Sequence, residues 1–326
     1  MTATESRAQA AAPRTPPEPR GRPRLRPELR RRRRRNVRAA LLFISPCMVG
    51  AAVFTLWPIL YSGYLSLTDY DVINDPQFIG LDNYRELLAD PRIALSLANT
   101  VYYTVLLVPL QIVFSLSLAM LLNQAGRSAN FFRTAFYLPN MTPPVAVGIL
   151  LLLLFNGQDG LVNTVLGWVG IDGPNWTTDP TWIKPGLIAM SLWSVGSTVI
   201  ILLAALRNVP AELYDAARVD GANWWQRTMR ITVPMISGTI FFLVIVNTIA
   251  GFQTFTEAYT AFWGAGTYSN ESALFYAIYL FQQAFEFLNM GYASAMAWLL
   301  FVIIMAITGI QFLVSRRLVY YEGGDR

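Results

Sequence analysis

The sequence predicts an all-α polytopic membrane protein: six transmembrane helices, with a cytoplasmic helix–turn–helix between spans four and five. Three observations carry that expectation. Only 14% of the 326 residues are charged and 54% are hydrophobic, whereas a soluble domain carries about 25% charge. Six uncharged apolar stretches reach the roughly 20 residues that a spanning helix needs. The basic residues fall almost wholly on alternate connections, as topology demands of a chain crossing a bilayer.

The six stretches cover residues 39–65, 97–122, 135–155, 186–206, 238–256 and 290–314. Lipid offers no hydrogen-bond partners to a backbone, so segments this apolar must be helical. A seventh apolar stretch, 272–285, is too short to cross and reads as an interfacial or re-entrant helix. All but three of the 25 basic residues lie in the N-terminal tail, the second-to-third loop, the fourth-to-fifth loop or the C-terminal tail; the exceptions are Arg85, Arg92 and Lys184. That asymmetry places both termini and the Arg218 loop in the cytoplasm, and the Arg-rich, Lys-poor composition points to a bacterial genome and hence its plasma membrane.

Three parts follow: a tail over 1–37, a six-span body over 38–315 with its long loop at 207–236, and a short cytoplasmic end over 316–326. The tail mixes Arg, Pro and Ala without periodicity, so it is expected to be disordered and to lie against anionic lipid. No aromatic residues interleave its arginines, so no nucleic-acid partner is expected.

Missing residue types exclude much chemistry. There is no His, which removes Ser-His-Asp catalysis and His-ligated metal sites. The one Cys, Cys47, lies in an apolar run and reads as a small buried hydrophobe. The one Lys, Lys184, precedes Pro185, so no Gly-Lys-Ser/Thr phosphate loop exists. The chain is therefore expected to be no enzyme, with no catalytic or metal-binding residues and no bound cofactor. Any ATP and magnesium must sit on a partner.

The loop between spans four and five carries helix signals of its own. Pro210 suits a first helical turn, and Glu212 and Asp215 lie where the helix dipole favours anions. Leu213, Ala216 and Ala217 share a face. Gly221 is placed to end the helix in a left-handed conformation. Asn223 can cap a second short helix reaching Arg230, which Pro234 is expected to stop. The small residues Ala216 and Ala217 would let another surface approach closely. Physically, this fits either a docking element or an amphipathic helix on lipid headgroups.

Asp215-Ala216-Ala217, Asp220-Gly221-Ala222 and Ile231-Thr232-Val233-Pro234 resemble the "EAA" loop of permease subunits in binding-protein-dependent ATP-binding-cassette importers. Asp215 replaces that family's usual Glu, and Val233 its Leu. Further motifs look like the carbohydrate-uptake branch, the maltose- and glycerol-3-phosphate-type first permease. They are Phe78-Ile-Gly-Leu-Asp-Asn-Tyr84, Phe131-Phe-Arg-Thr-Ala-Phe-Tyr-Leu-Pro139, Gly160-Leu-Val-Asn163, Trp193 and Gly291-Tyr-Ala-Ser-Ala295. The turn Gly264-Ala-Gly266 departs from the usual Gly-Gly-Pro.

The resemblance implies a transport subunit for a sugar or related small polar solute. It implies a second homologous permease, an ATPase subunit dimer and an extracytoplasmic solute-binding protein as partners. The ATPase would dock on Glu212, Asp215, Ala216, Ala217, Asp220, Gly221 and Pro234. Polar residues in spans four and five are candidates for the solute path: Ser191, Ser194, Ser197, Asn247, Gln253 and Thr254, with Trp193 to stack on a sugar face. Gly196 and Gly251 suit kinks or close helix packing. In the maltose-type relatives, substrate contacts cluster at about the positions of Ser191 and Asn247. Glu257 and Glu286 are expected to face the outer water.

Overall fold

A computed structural model describes residues 27–126, 129–264 and 271–318. Most of the expected tail, Arg127, Ala265, Gly266 and the C-terminal end from 319 lie outside them. The chain divides into two compact units, 1–60 and 61–326.

In the first unit, helix α1 runs over Pro27–Ala51 and passes through a π-turn, Ala52–Leu56, into α2, Trp57–Leu65. α1 takes in residues 27–37, which composition assigned to an unstructured tail. Pro suits a first helical turn, and arginine is a good helix former, so the Arg run extends the helix. Cys47 is exposed, not buried.

The second unit begins inside α2. A short antiparallel pair follows, β1 (Thr68–Asp69) with β2 (Gln77–Phe78), and then α3, Asp82–Ala89. The Phe78–Tyr84 motif serves this corner. Gly80 adopts φ +66°, and the buried Asn83 donates to the carbonyls of Ser66 and Thr68 at 3.0 and 2.9 Å. Tyr84 Oη bonds Ser66 Oγ at 2.9 Å.

The 34-residue helix α4, Pro91–Gln124, is the central element. Asp90 caps it by accepting the Arg92 N–H at 2.8 Å, and Pro91 fits the first turn because its missing N–H was an orphan there anyway. The same carboxylate accepts Tyr279 Oη at 2.6 Å and Tyr292 Oη at 2.9 Å. Burial pushes the Asp90 carboxyl up, but the bonds from Tyr279, Arg92 and Tyr292 outweigh it and hold it below the usual value.

The third expected span is two helices. α5 (Ala129–Tyr137) leads through a 3₁₀ turn, Leu138–Met141, into α6 (Pro144–Leu154), with a 96° bend. Pro143 and Pro144 cause the break, since neither supplies a helical N–H. α7 (Leu161–Trp168) follows. There Asn163 Nδ2 donates to the carbonyls of Gly157, Gly173 and Pro174 at 2.9–3.2 Å, while its Oδ1 accepts Trp176 Nε1 at 2.8 Å.

The fourth expected span is likewise α8 (Ile183–Trp193) and α9 (Gly196–Arg207), bent by 52°. Asn140 Oδ1 accepts the Gly196 N–H at 3.1 Å, so the turn in one broken helix caps the restart of the other. Gly196 leaves no room for a Cβ against the Phe136 and Tyr137 backbone.

Helices α10 (Ala211–Val219), α11 (Trp224–Arg227) and α12 (Val233–Met235) form the long loop. α13 (Ser237–Phe252) and α14 (Thr256–Phe262) follow. The stretch expected to be interfacial holds α15 (Tyr276–Phe281) and a π-turn, Gln282–Glu286. It is core: Leu274, Phe275, Tyr276 and Ile278 have no exposed surface. Asn99 Nδ2 ties it down through the carbonyls of Glu271 and Leu274, both at 2.9 Å. The last helix, α16, is Met290–Leu318; Gly291 sits where a Cβ would strike the Thr68 carbonyl.

Four helical stretches among the described residues are long and apolar enough to cross a membrane: Asn36–Leu65, Pro91–Gln124, Ser237–Phe262 and Met290–Ser315. Each bent pair adds one more if it counts as a single crossing. Two apolar clusters sit along α4. One gathers Leu107, Leu151, Leu187, Phe262, Tyr276 and Met296; the other gathers Ile112, Ala119, Val199, Leu202, Leu206 and Leu243.

Candidate functional site: a polar cavity and a docking loop

A cavity of about 300 Å³ opens beside α4, walled by α6, α8, α13 and the start of α14. Its polar lining is Tyr103, Gln111, Ser191, Ser194, Asn247, Gln253, Thr254, Thr256 and Glu257. The chain can form it because α8 and α13 both stop short. α8 ends at Trp193 and Ser194, and α13 ends at Phe252, so helix ends rather than continuous apolar faces meet here. Gly251 allows the approach: a Cβ there would lie 2.8 Å from the Thr104 side chain.

Two groups in this region are conspicuous. Tyr103 Oη and Ser191 Oγ share a hydrogen bond of 2.8 Å, and Ser191 donates to the Leu187 carbonyl at 2.8 Å. Asn247 Nδ2 is buried with no hydrogen-bond partner among the described residues. A buried amide donor left unpaired costs about 1–3 kcal/mol.

The structure thus brings together Ser191, Ser194, Asn247, Gly251, Gln253 and Thr254, all expected from the sequence. It does not bring Trp193 or Ser197 to the cavity. Trp193 is 45% exposed, and Ser197 points to Asn140, accepting its Nδ2. Trp193 follows Ser191 by two residues on α8 and so lies about 200° round that helix, whereas Ser197 lies beyond the 52° bend, in α9. Sequence reasoning missed Tyr103, Gln111 and Glu257. Gln111 was visible as an isolated amide in an apolar span. Glu257 was expected to face outer water. It lines the cavity because the chain breaks at Gln253–Phe255 and α14 sets off in a new direction. Glu286 instead accepts Tyr259 Oη at 3.3 Å.

The second site is the loop. No residue of α10 is buried. Asp215 pairs with Arg218 at 2.8 Å on its exposed face, Glu212 stands in its first turn, and Ala216 and Ala217 leave its surface low. Pro210 is the residue just before α10 rather than its first turn. Gly221 has φ +79°. Its N–H reaches the Arg218 carbonyl at 3.1 Å and the Ala222 N–H reaches the Ala217 carbonyl at 2.9 Å, which is the paired termination that a left-handed glycine permits. Asp220 closes the helix just before it.

Asn223 then caps α11 reciprocally: its Oδ1 accepts the Gln226 N–H and Gln226 Oε1 accepts the Asn223 N–H, both at 2.9 Å. The helix does not end at Pro234. A π-turn at Thr228–Thr232 lets the Val233 N–H reach the Thr228 carbonyl, and the helical path runs on through Pro234 to Ile236. The wider turn gives the proline ring room that an α-turn lacks. Tyr214, Arg218, Trp224 and Arg227 line a cleft of about 380 Å³ together with Asn123 and Gln124 at the end of α4.

Residues 111–320 match the family model described as "Binding-protein-dependent transport system inner membrane component". A probable ABC transporter permease protein, YesP, of Bacillus subtilis is 42% identical, over 88% of this chain and 93% of its own. The lactose transport system permease protein LacF of Rhizobium radiobacter is 35% identical, over 84% of this chain and 93% of its own. Among solved structures, a chain of a bacterial alginate ABC transporter, in complex with an alginate pentasaccharide-bound periplasmic protein, superposes with a TM-score of 0.75. It is 25% identical, covering 88% of this chain and 96% of that one. The chain belongs to the family of binding-protein-dependent transport system inner membrane components: it is a multi-pass permease, a transport subunit and not an enzyme.

Proposed function

We propose that this chain is one of two homologous permeases in an ATP-driven importer of a sugar or related polar solute, and that the cavity at Asn247 is its solute path. The observation that carries the reading is the cavity wall, where serines, amides and threonines, Asn247 among them, gather within otherwise apolar spans. Sugar hydroxyls both accept and donate, so they can satisfy such a wall. Relatives named for lactose and arabinooligosaccharide transport agree with a carbohydrate.

In this reading each bent pair is one crossing, giving six spans with both termini cytoplasmic in a bacterial plasma membrane, multi-pass and in contact with its lipid. The basic residues favour that orientation. The 207–236 loop then faces the cytoplasm and docks on an ATPase subunit dimer through Glu212, Asp215, Ala216, Ala217, Asp220, Gly221 and Pro234. ATP and magnesium stay on that partner. An extracytoplasmic binding protein delivers the solute at the other face, as the alginate system's periplasmic protein suggests. Nucleotide-dependent closure of the ATPase pair acts on α10, and the bundle exchanges between two states with different affinity for the closed and open partner.

The test is uptake by the complete complex in proteoliposomes, with its binding protein and a labelled neutral disaccharide. Asn247→Leu should lower ATP-dependent uptake by about tenfold or more while complex recovery is unchanged. Normal uptake by that variant would remove the cavity from the solute path.

A further inference from the structure

One acidic side chain lines the solute path proposed above. Glu257 lines the cavity, and among the described residues no Lys or Arg does. Lys184 and Arg92 are committed elsewhere. Lys184 Nζ donates to Asn99 Oδ1 at 2.9 Å and lies 5.3 Å from the centre of the Tyr102 ring. Arg92 sits 3.8 Å from Glu271 Oε1 and 5.2 Å from the centre of the Tyr279 ring. No hydrogen bond or ion pair engages Glu257 within the described residues, whereas Glu286 has Tyr259 and Asp90 has three donors. An ionisable side chain at membrane depth without a structural partner marks a functional position.

We propose that Glu257 sets the charge selectivity of this path: it admits neutral, hydroxyl-rich solutes and rejects glycans bearing carboxylate or sulfonate groups. The argument rests on the cavity being the solute path. A unit charge in a recess walled by apolar helices is screened far less than one at a surface, and such walls focus its field. An anionic solute would meet that field with no cation to offset it, and burying a charge unpaired is costly. A neutral sugar meets hydroxyls and amides on the wall and an acceptor at Glu257, and its own hydroxyls can donate to the carboxylate while others accept from the wall. The carboxylate therefore discriminates by repulsion as well as by the hydrogen bond it offers.

The test reads the field directly, without knowledge of the natural solute. Ser194, on the cavity wall, is replaced by cysteine in a chain whose one native thiol is removed by Cys47→Ala. The whole importer complex is then reacted with a cationic trimethylammonium-ethyl methanethiosulfonate and an anionic sulfonatoethyl methanethiosulfonate. Modification is read on this chain by intact mass, and each rate is divided by that reagent's rate with a free thiol. The normalised cation-to-anion ratio should be at least about ten, and Glu257→Gln should bring it within about twofold of one. Because any shift in the cysteine's own ionisation affects both reagents alike, the ratio isolates the field. The ratio with Glu257 intact stands alone should the Gln variant fail to assemble, and high salt should then lower it only weakly. Equal normalised rates with Glu257 intact would overturn charge selection and leave the path standing. No reaction by either reagent, with or without ATP, would show that the cavity is not an aqueous path and overturn both readings.

Discussion

The docking loop and the cavity are built by opposite means. The hydrogen bonds that shape the turn around Gly221 join residues at most five apart, from the Ala222 to Ala217 bond through the Asn223–Gln226 reciprocal cap, and a Tyr214–Thr232 bond at 3.0 Å closes the loop behind it. None of the side chains of α10 is buried. The cavity draws its wall from α4, α6, α8, α13 and α14, and it leaves Asn247 Nδ2 unmatched. On the function proposed above, the difference separates two jobs. A segment that transmits force to another protein gains from being rigid before contact. A path for a solute must keep polar groups available, and it does so where helices end.

If the loop is a preformed rigid element, damage to its turn should be the most severe lesion. Gly221→Val puts a branched side chain at φ +79°, a conformation that costs L-residues about 1–2 kcal/mol or more. Uptake by the reconstituted complex should fall by at least about tenfold, while the amount of chain in the membrane fraction stays normal. Normal uptake would show that the turn's conformation is not needed.

Charge reversal sharpens the same contrast. Asp215→Lys sets two cations three residues apart beside Arg218, in place of an exposed pair 2.8 Å apart. Exposed pairs contribute under about 1 kcal/mol, so the chain itself should remain folded. Recovery of the ATPase subunit in a pull-down should drop severalfold, and undiminished recovery would take Asp215 out of the docking surface.

Removing the Asn223 cap should matter less. Asn223→Ala costs about 1 kcal/mol of local helix stability. Amide exchange over α11 should speed up roughly fivefold, with no change near the cavity. The smallest effect concerns pH. The Asp90 carboxyl is held below its usual value, so its contribution is fully present above the unfolded value near 3.9 and is lost only as pH falls through the lower folded value. Between pH 5 and 8 the thermal stability of Asp90→Asn should therefore differ from the parent by a constant amount. A difference that changes across that window would mean Asp90 titrates within it.

The two regions also differ in how far the sequence reveals them. The loop's left-handed glycine, its Asn cap and its exposed small-residue face follow from short-range rules, so they are readable from spacing alone. Pro234 was misread because a π-turn, which has no sequence signature, makes room for it. Apolar runs located the spans but not their bends, since hydropathy is blind to the Asn140–Gly196 contact across 56 residues. Ser191 and Asn247 were found because polar atoms in apolar runs are visible, whereas Trp193 falls on another face of α8, Ser197 lies past the bend, and Glu257 was gained by a break in the chain. The motifs around Asn83, Asn163 and Gly291 proved to be joints of the scaffold, each holding backbone carbonyls or passing close to one.

The central claim is that this chain works as one half of an ATP-driven permease pair, and gentle affinity purification from its native membrane tests it most directly. A second, homologous permease and an ATPase subunit should be recovered in stoichiometric amounts, with ATP hydrolysis stimulated by a loaded binding protein. Recovery of this chain alone, able to drive uptake with an ion gradient and no ATPase, would contradict the account.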